Sequence, residues 1–169
     1  MFKKFSIAAV LVFLLVLLDQ ATKMWAVATL KGIEGISLID GVFRFMYLEN
    51  RGSAFSMFQN QTTGFIIFTL IVLVVIAFLY ARIPDTRHML PLKILGILIF
   101  AGAVGNLIDR VRQAFVVDFL YFELINFPVF NVADIYVTCG SFLFIILGLF
   151  YYKDEDLEFL SLRKKKKEQ

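Results

Sequence analysis

Residues 64–81 read GFIIFTLIVLVVIAFLYA and contain no charged side chain. An α-helix needs roughly 17–25 predominantly apolar residues to cross the hydrocarbon core of a bilayer, so this run is long enough to span one. Residues 135–152 form a second uncharged run of the same length. Two such runs in a chain of 169 residues indicate an integral membrane protein.

The composition of the whole chain agrees with this interpretation. Hydrophobic residues make up 60% and charged residues 18%, the mean hydropathy is +0.80, and the chain contains 20 Phe. Soluble domains are closer to half apolar and a quarter charged. These values exclude a soluble, disordered or nucleic-acid-binding protein, and we predict a single membrane domain over residues 1–169 with no nucleic-acid partner.

Two further stretches complete a set of four spans. Residues 92–108 are apolar apart from Lys93 near their start, whose long side chain can reach the interface. Residues 5–18 follow two lysines as a signal peptide would, but the small-residue cleavage pattern is missing and a polar segment continues at helical spacing. We therefore predict a retained first helix, and spans at about residues 5–26, 64–81, 92–108 and 135–152.

The distribution of basic residues predicts the orientation. Four spans place both termini on one side, and most of the 17 Lys and Arg residues lie in the N-terminus, the 82–93 connection and the basic tail 153–169. Because cytoplasmic segments carry the excess of Lys and Arg, both termini are predicted to be cytoplasmic. The tail is also expected to attract anionic lipid.

The first external connection, about residues 30–63, has the pattern of β-strands. Asp40-Gly41 is a hairpin turn signal between two apolar runs. In the second run Phe43, Phe45 and Tyr47 alternate with other residues, as strand residues on one face do. The sequence therefore predicts a membrane α-helical fold with a small extracytoplasmic β-sheet between helices 1 and 2.

Polar side chains gather at the external ends of the predicted spans. Such residues are costly at a membrane and are candidates for function. The set comprises Asp19, Gln20 and Lys23 at the end of the first span, Asn106, Asp109 and Arg110 at the end of the third, Asn131 and Asp134 at the start of the fourth, Asp118 in the connection before it, and Asn50 and Arg51 in the first external connection. Their convergence at one face predicts a site there.

Two of these acids have structural alternatives. Asp134 stands three residues after Asn131, as the acidic partner in a helix capping box does. Asp118 interrupts an apolar run, as a strand residue facing water would, and it could also pair with Arg110 or Arg112. As a close pair, however, two carboxylates do not both ionise easily. One could then activate water while the other polarises a carbonyl, which would hydrolyse a peptide without a metal or cofactor.

Other catalytic arrangements fit less well. His88 is the only histidine and is predicted on the cytoplasmic side, which argues against a Ser-His-Asp triad, and one Cys and one His cannot build a multi-ligand metal site. Cys139 is expected to pack inside an apolar span. A dyad of Lys23 with Ser53 or Ser56 stays open, although pairing of Lys23 with Asp19 one turn earlier is favoured.

The main alternative to an enzyme is a non-enzymatic membrane protein that conducts protons. A proton relay should place acids along the depth of the membrane, yet residues 64–81 and 135–152 carry none. The small residues around Gly96, Gly102 and Gly105 indicate close helix packing, and Gly105 could also leave space for a ligand.

Five short motifs occur in a fixed order along the chain. They are DQATK at 19–23, ENRGSAF at 49–55, GNLIDR at 105–110, VDF at 117–119 and FNVAD at 130–134. Together they resemble the signature blocks of the bacterial lipoprotein signal peptidase family (signal peptidase II). The resemblance covers essentially the whole chain, and the chain length and four spans agree with it.

This resemblance implies an intramembrane aspartic endopeptidase of the bacterial cytoplasmic membrane, with its active site at the extracytoplasmic face. Such enzymes remove the signal peptide from diacylglyceryl prolipoproteins, cutting just before the lipidated Cys, and are inhibited by globomycin and myxovirescin. By the match, Asp118 and Asp134 would be catalytic, and Asn50, Asn106, Arg110 and Asn131 would line the site and hold substrate. The supporting positions would be Asp19, Lys23, Gly52, Ala54, Gly105, Asp109 and Ala133.

Overall fold

The computed structural model describes residues 2–52 and 62–160, with side chains from Lys4 onward. Three residues named above, Ser53, Ala54 and Ser56, lie outside the described residues, as does the basic tail from residue 161. Predictions that concern them stay predictions.

Four helices are long and apolar enough to cross a membrane, as predicted. They are α1 (Phe2–Leu30), α2 (Thr62–Arg82), α3 (Leu90–Gln113) and α4 (Val132–Phe150). Short 3-10 helices lie at Glu123–Ile125 and Glu158–Leu160. Helix α1 continues past its predicted end at residue 26 to Leu30, and α3 continues past residue 108 to Gln113.

Helix α3 is central and packs against α1, α2 and α4. Small residues allow this close approach. A Cβ on Gly102 would lie 2.5 Å from the carbonyl oxygen of Ala133, and one on Gly105 would lie 2.5 Å from Oδ2 of Asp19. The small-residue face is therefore confirmed, but the space at Gly105 holds the Asp19 carboxylate and is not free for a ligand.

The predicted sheet is present and has three antiparallel strands in the order β1-β2-β3. Strands β1 (Ile36–Ile39) and β2 (Phe43–Asn50) form a hairpin between α1 and α2, and its turn uses Gly41 at φ +71°. Strand β3 (Val116–Phe122) comes from the connection between α3 and α4. It adds Asp118 to the sheet, opposite Leu48 of β2.

The sheet packs onto the C-terminal end of α1. Phe119 is buried against Ala26 and Leu30, and the ring of Trp25 meets Phe45 edge-on at 5.2 Å between centroids. This contact fixes β3 beside α1 and α3, and it thereby places Asp118 above the polar ends of the helices.

Candidate active site

Asp118 is buried in β3, with 1% of its surface exposed. The Asn50 amide donates to its Oδ2 at 2.8 Å, and the Asn131 amide donates to its Oδ1 at 2.6 Å. These contacts contradict the alternatives in which Asp118 faces water or pairs with Arg110 or Arg112. Burial, and then the negative charge of Asp134, raise the pKa of Asp118 to about 7. The carboxyl group can therefore hold a proton near neutral pH.

Asp134 has the predicted capping role and makes one further side-chain contact. It forms the predicted capping box at the start of α4: its backbone N–H donates to Oδ1 of Asn131 at 3.0 Å, and its Oδ2 accepts from the Asn131 backbone N–H at 3.0 Å. Its second oxygen, Oδ1, accepts from the Asn106 amide at 2.8 Å. The capping box thus uses Oδ2 of Asp134 and holds the carboxylate in place, while Oδ1 takes no part in the cap.

Asn131 joins the two acids. It is fully buried, and its Nδ2 donates to Asp118 and, at 3.2 Å, to Oδ1 of Asn106. Since the same side chain caps α4, the start of this helix and strand β3 are held at a fixed relation. The two carboxylates are therefore parts of one hydrogen-bond network.

The three asparagines around the acids all turn their NH₂ groups toward the carboxylates. Each amide oxygen accepts a separate hydrogen bond: that of Asn50 from the Gly52 backbone N–H at 3.0 Å, and that of Asn131 from Asp134. The oxygen of Asn106 accepts from Nζ of Lys23 at 2.8 Å. An amide whose oxygen is held in this way can offer only N–H donors to a carboxylate.

Lys23 lies at the base of this network, 3% exposed. Its ammonium lies 3.0 Å from Oδ2 of Asp19 and 2.9 Å from Oδ2 of Asp109, in addition to its bond to Asn106. The pairing with Asp19 confirms the prediction from helical spacing. Because all three Lys23 N–H donors have acceptors, its amine nitrogen is committed to this network, which argues against Lys23 as the base of a Ser–Lys dyad.

The two partners of Lys23 connect the helices to the acids. Oδ1 of Asp19 accepts from the Ala133 backbone N–H at 2.9 Å, next to Asp134. Oδ2 of Asp109 accepts from the Val117 backbone N–H at 3.3 Å, next to Asp118. Both contacts position the residue that precedes a candidate catalytic acid.

Arg110 links α3 to Gly52, in the connection between α1 and α2. Its guanidinium donates to the Gly52 carbonyl at 3.3 Å and to the Asn106 carbonyl at 3.5 Å, and it lies 5.2 Å from the centroid of the Phe65 ring. These bonds use two of the five guanidinium N–H donors, so among the described residues the others are open to a bound molecule.

A cavity of about 380 Å³ opens onto these groups. Both carboxylates, Asn50, Asn106 and Arg110 form its polar side. The rest of the lining is largely apolar and includes Phe127, Pro128, Val129, Phe130 and Ile135. Thr138 and Cys139 also line the cavity. The arrangement fits an extended chain with polar backbone groups and apolar side chains.

The cavity corrects one expectation and adds residues that the sequence analysis missed. Cys139 is exposed and lines the cavity, whereas we expected it to be packed within its span. Helical spacing could have predicted this position, because Thr138 lies one turn after Asp134 on the same face of α4 and Cys139 follows it directly. The segment 127–130 was missed because nothing in its composition indicates that it folds over the acids.

His88 lies far from this cavity, at the other end of the bundle. Its Nε2 is 3.2 Å from Oδ2 of Asp156, and its ring stacks on Tyr151. A triad with the candidate acids is thereby excluded. Of the predicted site residues that the structure describes, all except Arg51 belong to the cavity lining or to the network beneath it. Arg51 is exposed and pairs with Glu49 at 3.1 Å.

Fold and site together define a multi-pass membrane peptidase of the aspartic type. A family model described as Signal peptidase (SPase) II matches residues 11–150. Proteins named lipoprotein signal peptidase are similar throughout: that of Clostridium tetani is 40% identical over 88% of this chain and 94% of its own length, and that of Streptococcus pneumoniae is 43% identical over 87% and 95%.

Two solved structures of bacterial membrane enzymes share the fold. One has a TM-score of 0.76 at 30% identity and covers 95% of both chains. The other has a TM-score of 0.75 at 32% identity and covers 87% of this chain and 95% of its own. The chain therefore belongs to the signal peptidase II family, which sets aside the non-enzymatic alternative and confirms the resemblance drawn from the five motifs.

Proposed function

We propose that this chain removes the signal peptide from prolipoproteins that carry a diacylglyceryl group, and that it cuts directly before the lipidated cysteine. The relatives named lipoprotein signal peptidase support the substrate class. The observation that carries the catalytic part is the linkage of Asp118 and Asp134 through Asn131 beside one cavity. No cofactor is required by this scheme.

Asp118 and Asp134 act as a pair that shares one proton. The ionised carboxylate takes a proton from a water molecule, whose oxygen attacks the carbonyl carbon before the lipidated cysteine. The protonated carboxyl donates a hydrogen bond to the carbonyl oxygen, on which negative charge develops. As the C–N bond breaks, a proton passes to the departing amine, and the pair again holds one proton.

The surrounding residues bind and orient the substrate. Asn50, Asn106 and Asn131 hold the two carboxylates, and the remaining N–H groups of Arg110 donate hydrogen bonds to backbone carbonyls of the signal peptide. The residues Asp19, Lys23, Gly52, Gly105, Asp109 and Ala133 support these groups from below. Globomycin and myxovirescin are expected to compete for the same cavity.

In this proposal the site lies at the extracytoplasmic face of the cytoplasmic membrane, and both termini are cytoplasmic. The basic residues of the N-terminus, the 82–93 connection and the tail support this orientation. A diacylglyceryl substrate keeps its acyl chains in the outer leaflet, so its scissile bond lies near the headgroups, at the level of the polar helix ends.

The decisive experiment is cleavage of a diacylglyceryl prolipoprotein by the purified, reconstituted protein. Asp118→Asn and Asp134→Asn keep the side-chain shape and should abolish cleavage. Asp85→Asn, a carboxylate at the opposite end of the bundle that pairs with Lys93, is the matched control and should cut normally. Globomycin binding by each variant verifies the fold, and cleavage at the normal rate by either dyad variant would refute the mechanism.

A further inference from the structure

A second cavity lies on the other side of α3, away from the candidate active site. It is a groove of about 550 Å³ between α1 and α2, with α3 as its floor. Helix α3 packs against both neighbours, whereas α1 and α2 are not in broad contact with each other. Small residues, Ala8 and Ala9 on α1, Ala77 on α2 and Gly96 on α3, give the groove its depth.

The dimensions of the groove match one acyl chain in one leaflet. On α1 its lining runs from Phe5 to Val16, which is roughly 16 Å at about 1.5 Å per residue. Half of a hydrocarbon core about 30 Å thick is about 15 Å.

The groove has a cation at its rim. Nζ of Lys4 lies 5.0 Å from the centroid of the Tyr80 ring and donates to the Ile83 carbonyl at 2.7 Å. Nearby, Lys93 pairs with Asp85. Within residues 2–52 and 62–160, Lys4 has no carboxylate in ion-pair range, and Asp85, which acts on its charge from a greater distance, is paired with Lys93. Basic pockets between membrane helices bind anionic lipid headgroups.

We propose that this groove binds an anionic phospholipid, with one acyl chain between α1 and α2 and the phosphate at Lys4. The rim lies at the end of the bundle opposite Asp118 and Asp134. The bound lipid is therefore a lipid of the other leaflet and distinct from the diacylglyceryl group of a substrate. The acyl chain fills the groove between α1 and α2, which are held together mainly through α3. Lipid binding therefore stabilises the fold.

The test is thermal unfolding of the full chain in a neutral detergent, with added phosphatidylglycerol or phosphatidylcholine that have identical acyl chains. Phosphatidylglycerol should raise the unfolding temperature in a saturable way and at lower concentration than phosphatidylcholine. In Lys4→Gln this preference should fall about five-fold, the factor expected for one basic residue at an anionic lipid. Equal effects of the two lipids on the unaltered protein would overturn the headgroup site.

Groove-filling variants test the acyl-chain site. Ala9→Leu and Ala77→Leu extend a side chain into the groove from two different helices, so one can be measured if the other does not fold. Each should remove the saturable rise. Val74→Leu, on α2 where Val74 is 69% exposed, is the matched control and should keep it. An undiminished rise in a folded groove variant would refute the site.

Discussion

Nζ of Lys23 donates to Oδ1 of Asn106 at 2.8 Å, and this bond fixes the direction in which Nδ2 of Asn106 points, toward Asp134. Lys23 thus reaches the candidate catalytic pair through one amide, while its charge is balanced by Asp19 and Asp109. Loss of the ammonium would leave Oδ1 of Asn106 with the longer bond from Asn131, at 3.2 Å, and would leave two carboxylates without their cation.

Lys23→Met should destabilise the protein by about 3–5 kcal/mol, because a buried ion pair that loses one partner leaves an uncompensated charge. Unfolding in detergent measures this change. Lys31→Met is the matched control, since the Lys31–Glu49 pair is 3.5 Å long and the Lys31 side chain is 57% exposed. Exposed pairs contribute at most about 1 kcal/mol, and equal effects of the two variants would contradict the assigned role.

Asp118→Glu should reduce cleavage by about 100-fold or more, because a reacting group displaced by about 1 Å costs that much. The extra methylene has little room at a side chain that is 1% exposed and held by two amides. Initial rates with a diacylglyceryl prolipoprotein measure the effect. Asp85→Glu serves as the control, and full activity of Asp118→Glu would rule out the dyad.

Gly105→Ala should destabilise the protein by about 1–3 kcal/mol, the usual cost of an added methyl in a packed interior. The new Cβ would lie 2.5 Å from Oδ2 of Asp19, which the Lys23 pair holds in place. Gly148→Ala is the control on α4, because no heavy atom lies within 4 Å of a Cβ there. Gly148→Ala should leave the stability unchanged or raise it. A larger loss of stability in Gly148→Ala than in Gly105→Ala would contradict the packing argument.

The local features of the fold could be predicted from the sequence, and the long-range ones could not. Uncharged runs identify the helices, and the spacing of Asn131 and Asp134 identifies the cap, because these rules involve neighbouring residues only. The third strand and the burial of Asp118 depend on a pairing of β3 with β2 across many residues. The exposure of Cys139 to the cavity depends on which face of α4 its neighbours leave uncovered.

Activity should persist in EDTA, because all four oxygens of the two carboxylates already accept hydrogen bonds from Asn50, Asn106 and Asn131. A divalent cation would have to displace these donors. The measurement is the cleavage rate before and after chelation and dialysis. Loss of activity that added zinc restores would require a different mechanism.

The stability of the protein should fall between about pH 4 and pH 7 through Asp118. The pKa of this carboxyl rises from 3.8 to about 7 on folding, chiefly because it is buried and further because Asp134 is negative. Below pH 4 the group is protonated in both the folded and the unfolded chain, so its stabilising contribution is complete. As the pH rises to 7, only the folded chain keeps the proton, and stability is lost at up to about 1.4 kcal/mol per pH unit.

Asp118→Asn should remove this fall, as followed by unfolding temperatures from pH 4 to pH 9. Asp85→Asn should retain it, because the hydrogen bond from Lys93 lowers the pKa of Asp85 and gives a contribution of the opposite sign, which is lost as the pH falls. Cleavage by the unaltered enzyme should decline above about pH 7, since the pair then loses its shared proton. Parallel stability profiles for all three proteins would show that Asp118 does not carry that proton.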